Sequence, residues 1–387
     1  MRDLIRSQNR LLSLLLIHAP MLRCDIAQTL GITTSALTHR TSPLMQAGLI
    51  RETGEDDGQI GPGRRSRLLG IAPDGAYAVG IHSMRNEVEV GLVDFRGRLI
   101  ANEQFAVSDS TEQTMQAVGG SITRLLAATG IELKKVLGAG LATIGASDTE
   151  WGIEFRYQTS GGRITTIPIA TASMLSRSFP KPVDMATKAR AMAVAERWFG
   201  GKHRNFLLVH AHHGVSSAVV LGGYIHQGQG HAGAMGHVQV SPDGPLCSCG
   251  KRGCLEAFVS RRTLLQRIGN GIPDLFSAAA LAGEGDQFLT SVFTSAAHTV
   301  ATACAPIVDV LEPEAIILVG PMFEAPGTLQ IIKEYLDGNT FVGRLHGVET
   351  RLSSFGRNAG IIGAASLVFG SLVQDGQAPD WPPAKLP

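Results

Sequence analysis

Residues 236–256 read GHVQVSPDGPLCSCGKRGCLE. Three of the chain's five cysteines and one histidine fall within these letters. His237, Cys247, Cys249 and Cys254 supply one imidazole and three thiolates, a ligand set that suits a closed tetrahedral Zn²⁺ site with no position left for water. A site of that kind is structural. Gly244, Gly250 and Gly253 let the backbone turn sharply enough for ligands so near in sequence to converge on one ion. Ordinary buried or redox-active cysteines are the other reading of the same letters.

Around this stretch the chain is that of a globular protein. Its 387 residues, 44% of them hydrophobic, can fill more than one core. The net charge of +1 carries no whole-chain signal for nucleic acid, so such a signal has to be local. Residues 1–70 hold nine arginines and no lysine against six acids, a mild positive excess at the N-terminal end. Few cysteines, most of them explained by the motif, point to a reducing cytoplasm. Arg2, Arg6 and Arg10 with LLSLLLI imitate a signal peptide, but no small-residue cleavage pattern follows and the run breaks at His18 and Pro20. No apolar run is expected to span a bilayer, and no membrane partner is expected.

The N-terminal letters predict a DNA-binding head. QNRLLSLLLI (8–17) reads as a first helix, and LRCDIAQTLGITTSALTHRT (22–41) as a helix-turn-helix with Gly31 at the turn and Thr33 or Thr34 as N-cap. The second helix of such a motif enters the major groove with its first residues at the base edges, which makes Thr34, Ser35, Thr38, His39 and Arg40 the contact candidates. Pro43 is expected to end this helix near Thr41 or to kink it. MQAGLIRETG followed by RSRLLGIA then reads as the end of a third helix and a two-stranded wing. Between the wing strands GPGRRSR (61–67) sets Arg64 and Arg65 on a Gly-Pro-Gly support from which they could enter a narrow minor groove; a solvated linker would use the same letters.

From residue 73 strands and helices alternate. AYAVGIHSM, NEVEVGLVDF and RLIANEQFAV are three strands in succession, TEQTMQAVGGSITRLLAAT is a helix and VLGAGLATIG a buried strand. A second set starts near FLLVHAHHGVSSAVVLGGYI and reaches EAIILVG at 314–320, a loose internal duplication with the Cys/His segment inserted in its second half.

GHVQVSPDGPLCSCGKRGCLE resembles, almost letter for letter, the zinc motif of the ROK family (repressors, open reading frames, sugar kinases). The resemblance runs from about residue 9 to about residue 370. It implies an α/β fold: an N-terminal winged helix-turn-helix followed by a duplicated actin-like (ribonuclease H-like) ATPase-type domain with an inserted zinc loop. The expected division is a head with wing and linker at 1–72, a first subdomain at 73–185 and a second at 186–387, its last helix returning to the first. ROK repressors carry a Gly-Arg element similar to that of Arg64 and Arg65.

The kinase branch of the family provides a test, because phosphoryl transfer needs phosphate loops and a carboxylate base. Where kinases resemble GIDIGGTK this chain reads Gly80-Ile81-His82-Ser83-Met84-Arg85-Asn86, and where they resemble GTGIGAG it reads His212-His213-Gly214-Val215-Ser216-Ser217-Ala218. Counting back from Glu196, the Asn-Asp pair that bears the base is replaced by Thr187 and Lys188. A lysine cannot serve as that base without a large pKa shift. It is either a solvated helix residue or faces the old sugar pocket and attracts an anionic group. His210, His212 and His213 suggest a metal as well as an eroded loop.

The resemblance also implies that His237 and the Glu after GCL, here Glu256, touch a sugar. A third such position holds Ala234. Glu256 could equally cap the helix that follows. These residues make the chain read as a transcriptional regulator, a repressor without catalysis that binds a double-stranded DNA operator as a homodimer or homotetramer. A sugar or sugar-derivative effector would be held by His237, Glu256, Lys188 and Thr187. A sugar kinase or other enzyme in the same cleft, and a regulator answering to a protein partner, are the competing readings.

Overall fold

The computed structural model of the chain describes residues 1–55, 67–144, 146–148, 153–160, 163–228, 230–269 and 271–374. The chain opens with helices α1 (Arg2–Ser7) and α2 (Asn9–His18), a short strand β1 (Met21–Leu22), and helices α3 (Arg23–Leu30) and α4 (Thr34–Gln46). Gly31 ends α3 at φ +66°, where a side chain would be strained. Thr33 caps α4 by accepting from the Ala36 N–H at 3.2 Å. Strands β2 (Ile50–Glu55) and β3 (Arg67–Ile71) form the antiparallel wing, and β1 adds a third strand beside β3 that the sequence did not suggest. Glu52 of the wing accepts from Arg67 at 2.5 Å and lies 3.6 Å from Arg23 at the start of α3, so the wing is tied to the helix-turn-helix.

Pro43 corrects one expectation. The helix neither ends near Thr41 nor restarts as a third helix; it is continuous from Thr34 to Gln46 with Pro43 inside it. Proline forfeits one intrahelical bond at this point. Pro43 lies on the exposed side, where water can satisfy the His39 carbonyl, while Leu37, Thr41 and Leu44 anchor the opposite face.

Two five-stranded sheets follow, and their matching strand order establishes the duplication. In the first, β4 (Tyr77–Ser83), β5 (Glu87–Asp94) and β6 (Leu99–Ala106) form an antiparallel meander, after which α5 (Thr111–Thr129) leads to β7 (Val136–Thr143). β7 pairs parallel with β4, and β11 (Val183–Thr187) pairs parallel with β7. Between them stand a small antiparallel sheet of β8 (Ala146–Asp148), β9 (Ile153–Ser160) and β10 (Arg163–Ile169), not foreseen from the sequence, and helix α6 (Thr171–Ser176).

Helix α7 (Lys188–Ala195) continues as one π turn, Glu196–Gly200, into the second sheet. There β12 (Phe206–Ala211), β13 (Val215–Leu221) and β14 (Tyr224–Ile225) repeat the meander. Helices α8 (Glu256–Val259), α9 (Arg261–Ile268), α10 (Leu275–Gly283) and α11 (Gln287–Leu311) lead to β15 (Ala315–Val319), parallel to β12. Helices α12 (Thr328–Asn339) and α13 (Phe341–His346) then lead to β16 (Glu349–Leu352), parallel to β15, and α14 (Ala359–Val373) follows. The orders β6-β5-β4-β7-β11 and β14-β13-β12-β15-β16 are the same.

Helices α7 and α14 lie between the sheets. Buried Ala189, Met192 and Ala193 of α7 pack with Phe206, Leu208 and Ala218 of the second sheet, while Ala191 meets Ala364 of α14 and Ala142 of β7. The backbone of α14 comes so near the first sheet that a Cβ at Gly80 would sit 2.1 Å from the Ile361 carbonyl oxygen, and one at Gly140 only 1.7 Å from that of Ala364. Beyond this crossing Phe369 and Leu372 of α14 join Trp198, Phe95 and the buried leucines of the head, Leu11, Leu12, Leu15, Leu37 and Leu44, in one cluster. Head and body therefore share a core.

The expectation that no apolar run could span a bilayer also needs correction. By length and composition 287–311 and 356–373 qualify; the first is half-buried, with one face in the second sheet's core, and the second is mostly buried inside the protein.

The crossing yields a stability prediction. Gly140→Val should lower stability by about 3 kcal/mol or more, since backbone on both sides has no room to retreat. Gly338→Ala in α12, where a Cβ would meet nothing within 4 Å, should be neutral or raise stability by up to about 1 kcal/mol. Equal melting temperatures for the two variants would refute the packing described.

Candidate metal centre and nucleic-acid interface

The Cys/His segment folds into a compact loop. Isolated bridges join Gln239 to Cys254 and Leu246 to Arg252, and the Cys247 N–H donates to the Lys251 carbonyl at 2.8 Å. Gly253 is at φ +68°, and a Cβ there would fall 1.5 Å from the Ser241 carbonyl oxygen, so only glycine closes the loop. Cys247 and Cys254 are buried, His237 and Cys249 half-buried, and none of the cysteines is in a disulfide.

One ligand atom from each of His237, Cys247, Cys249 and Cys254 lies within 4.8 Å of the others. The Cys249 and Cys254 sulfurs are 3.7 Å apart, and Cys247 Sγ is 3.6 Å from His237 Nδ1. A tetrahedral zinc site with ordinary bond lengths requires edges of about 3.8 Å between sulfurs and about 3.6 Å between sulfur and nitrogen. Burial, followed by the neighbouring Cys249 and Cys247 sulfurs, pushes the Cys254 thiol up to about 12, so sulfurs this close ionise together only around a cation. The residues fit the ion. Among the described residues this is the one such group; His210, His212 and His213 do not bring their nitrogens together with another ligand in this way.

Glu256 is bound to the fold, though not as a cap of its own helix. It is the first residue of α8, and its Oε2 accepts the Val215 N–H at 2.9 Å, joining the metal segment to the start of β13 across 41 positions. Behind this contact the Arg261 N–H donates to the His212 carbonyl at 2.7 Å. The loop bearing His212 and His213, ring centroids 4.5 Å apart, is thus attached to the metal segment at one end and to α9 at the other.

Thr187 ends β11 and precedes α7, whose first residue is Lys188. Lys188 is half-buried rather than solvated, and its charge helps depress His82, His210, His212 and His213. For each histidine burial is the larger cause, placing His212 at about 3 and His213 at about 4. Lys188 and this histidine group therefore lie near one another, and Glu256 holds the residue that follows the His212 loop. His82 is a feature whose importance sequence reasoning missed: the letters showed only that a family acid was gone, while its partner Glu89 faces it across β4 and β5.

On the head, Thr34, Ser35, Thr38, His39 and Arg40 are all exposed along α4, opposite buried Leu37, Thr41 and Leu44. The Thr38 hydroxyl donates to the Thr34 carbonyl at 3.0 Å. Arg64 and Arg65 lie outside the described residues.

The ROK family profile matches residues 78–370. A xylose repressor of Bacillus spizizenii is 25% identical over 373 residues, covering 94% of this chain and 94% of that relative. A ROK family transcriptional regulator described as a homologue of the E. coli MLC protein superposes with a TM-score of 0.75 at 22% identity, over 96% of this chain and 97% of its own. A ROK family glucokinase from Streptomyces griseus, solved with glucose and AMPPNP, superposes at 0.65 and 21% identity, over 99% of its own chain but 76% of this one.

Metal analysis of the purified chain is expected to find about one zinc ion per chain, held by a closed four-ligand site. The double variant Cys247→Ser/Cys249→Ser should lose the zinc and melt earlier. A wild-type protein that carries no zinc after growth in zinc-replete medium would contradict the assignment.

Proposed function

The chain belongs to the ROK family, and we propose that it is a DNA-binding transcriptional regulator, a repressor without kinase activity that answers to a small ligand in its cleft. The observation that carries this reading is the exposed polar face of α4, set on a winged head that precedes the family match and shares its core with the body. The repressor relative spans head and body alike, whereas the glucokinase leaves about a quarter of this chain unmatched.

In this reading residues 1–72 are the head, 73–185 and 186–387 the two halves of the body, and the protein works in the cytoplasm. Thr34, Ser35, Thr38, His39 and Arg40 reach base edges in the major groove, while Arg64 and Arg65 enter the minor groove. A homodimer or homotetramer presents two heads to the half-sites of an operator. A structural Zn²⁺ held by His237, Cys247, Cys249 and Cys254 keeps the loop behind the cleft in shape.

The effector is a sugar or sugar derivative that meets Lys188, Thr187, His237 and Glu256. Two helices can report its presence. α7 starts at Lys188 and runs into the turn that bears Trp198, and α14 starts beside His82 and ends in the head's core. A ligand can reorient the heads only through a difference in its affinity for the two arrangements. Lys188, at the start of α7, is an ammonium where a kinase of this fold requires a carboxylate base.

Selecting bound fragments from the host genome provides the operator for the test. Arg40→Ala should weaken operator binding about tenfold or more, as expected for loss of a base contact. Arg64→Ala/Arg65→Ala should weaken it with a salt slope reduced by about 2, one phosphate-class contact per arginine. Unchanged affinity in both variants, or turnover of ATP with Mg²⁺ and hexoses, would overturn the proposal.

A further inference from the structure

We propose that Glu52 is a positioning residue for DNA recognition: by holding Arg23 and Arg67 it sets the wing against α4, and this carboxylate therefore strengthens operator binding although it repels phosphate. This rests on the regulator reading above and adds to it a residue that acts through others.

Arg23 stands at a junction of three elements. It is the first residue of α3 and follows directly on β1, whose Leu22 pairs with Leu68 of β3. Its Nη1 donates to the Thr41 hydroxyl at 3.3 Å and its Nη2 lies 3.6 Å from the Met45 sulfur, both on α4. Thr41 is buried, and its hydroxyl donates in turn to the carbonyl of Thr38 at 3.2 Å, one of the positions set to meet base edges. The same Nη2 is 3.6 Å from Glu52 Oε1 on β2, and the other Glu52 oxygen accepts from Arg67 Nη1 on β3 at 2.5 Å. The Arg67 hydrogen bond holds the Glu52 carboxyl below its usual range. Through two guanidinium groups one ionised carboxylate thus connects both wing strands to the helix that reads DNA.

On a head that meets a polyanion, such a carboxylate has two effects of opposite sign. Its charge opposes the phosphates, so its removal alone would favour any DNA. Its contacts do the reverse. Partly exposed ion pairs of this kind add little to folding stability, but they fix how the wing stands relative to α4 before DNA arrives. A helix in the major groove and a wing beside it reinforce each other only when that placement is set in advance, because freedom lost on binding weakens the complex. Base contacts need the placement; the general attraction to phosphate does not. Positioning therefore acts on the operator and leaves other DNA aside.

Fluorescence anisotropy of the full-length protein, with its genome-selected operator and with a scrambled duplex of equal length, tests this. Glu52→Gln should weaken operator binding about tenfold while the scrambled duplex binds unchanged or more tightly, so that the ratio of the two affinities falls about tenfold or more. Arg23→Gln should lower the same ratio, and the Glu52→Gln/Arg23→Gln pair should lower it no further than the worse single variant, because both residues belong to one network. Melting temperatures should stay within a few degrees of wild type. Operator affinity that is unchanged or higher in Glu52→Gln, or equal losses on both duplexes, would overturn the proposal. So would unfolding of Glu52→Gln at the assay temperature, which would make it a stability residue. A salt slope smaller by about 1 in Arg23→Gln with the ratio kept would mark Arg23 as a phosphate contact and overturn it too. A wild-type protein with no preference between the two duplexes would strike the regulator reading itself, and this inference with it.

Discussion

The close approach of α14 to β4 and β7 is the constraint on which the rest of the structure depends. It is possible only because Gly80 and Gly140 present no side chain where the Ile361 and Ala364 carbonyls pass. A helix seated that deeply reaches three places at once: the cleft at Gly360, the alanine-rich face of α7 at its middle, and the head at Phe369 and Leu372. Interiors packed at crystal-like density transmit displacement instead of absorbing it. A shift at the cleft end of α7 or α14 therefore has a physical route to the helix-turn-helix.

The metal loop takes its role from the same arrangement. Its four ligands close a segment whose outer contact, Glu256 to the Val215 N–H, fixes the loop that carries His212 and His213. The metal segment thus supports the loop that carries His212 and His213. Neutral imidazoles and an ammonium stand where transfer of a phosphoryl group would need glycines and a carboxylate. Similarity to a sugar kinase of known structure covers the fold of the body alone.

Local patterns were legible in the sequence, and contacts between distant segments were not. AYAVGIHSM, NEVEVGLVDF and RLIANEQFAV located β4, β5 and β6, and TEQTMQAVGGSITRLLAAT coincides with α5 from Thr111 to Thr129. The four metal ligands were legible because their spacing is itself the signal. Of the two outcomes expected at Pro43, the end near Thr41 did not occur, because helix propensity is a local prior and buried Leu37 and Leu44 outweigh one lost bond. The small sheet β8–β10 was missed, as was the head sharing its core with α14, since that depends on residues more than 300 positions apart, from Leu11 to Phe369. The His82–Glu89 pair became visible only once the register of β4 against β5 was known.

Hydrogen exchange on the native protein, compared with a Phe369→Ala variant, tests most directly whether head and body are one coupled unit. Phe369 is fully buried, 5.3 Å from Phe95 and 6.0 Å from Phe199 by ring centroid, and its loss should cost about 3–5 kcal/mol. The slowest amides of α2 should lose protection together with those of α14, because both draw on the same core. Unchanged protection in α2, α3 and α4 while α14 loosens would contradict the shared core and, with it, the route from cleft to head.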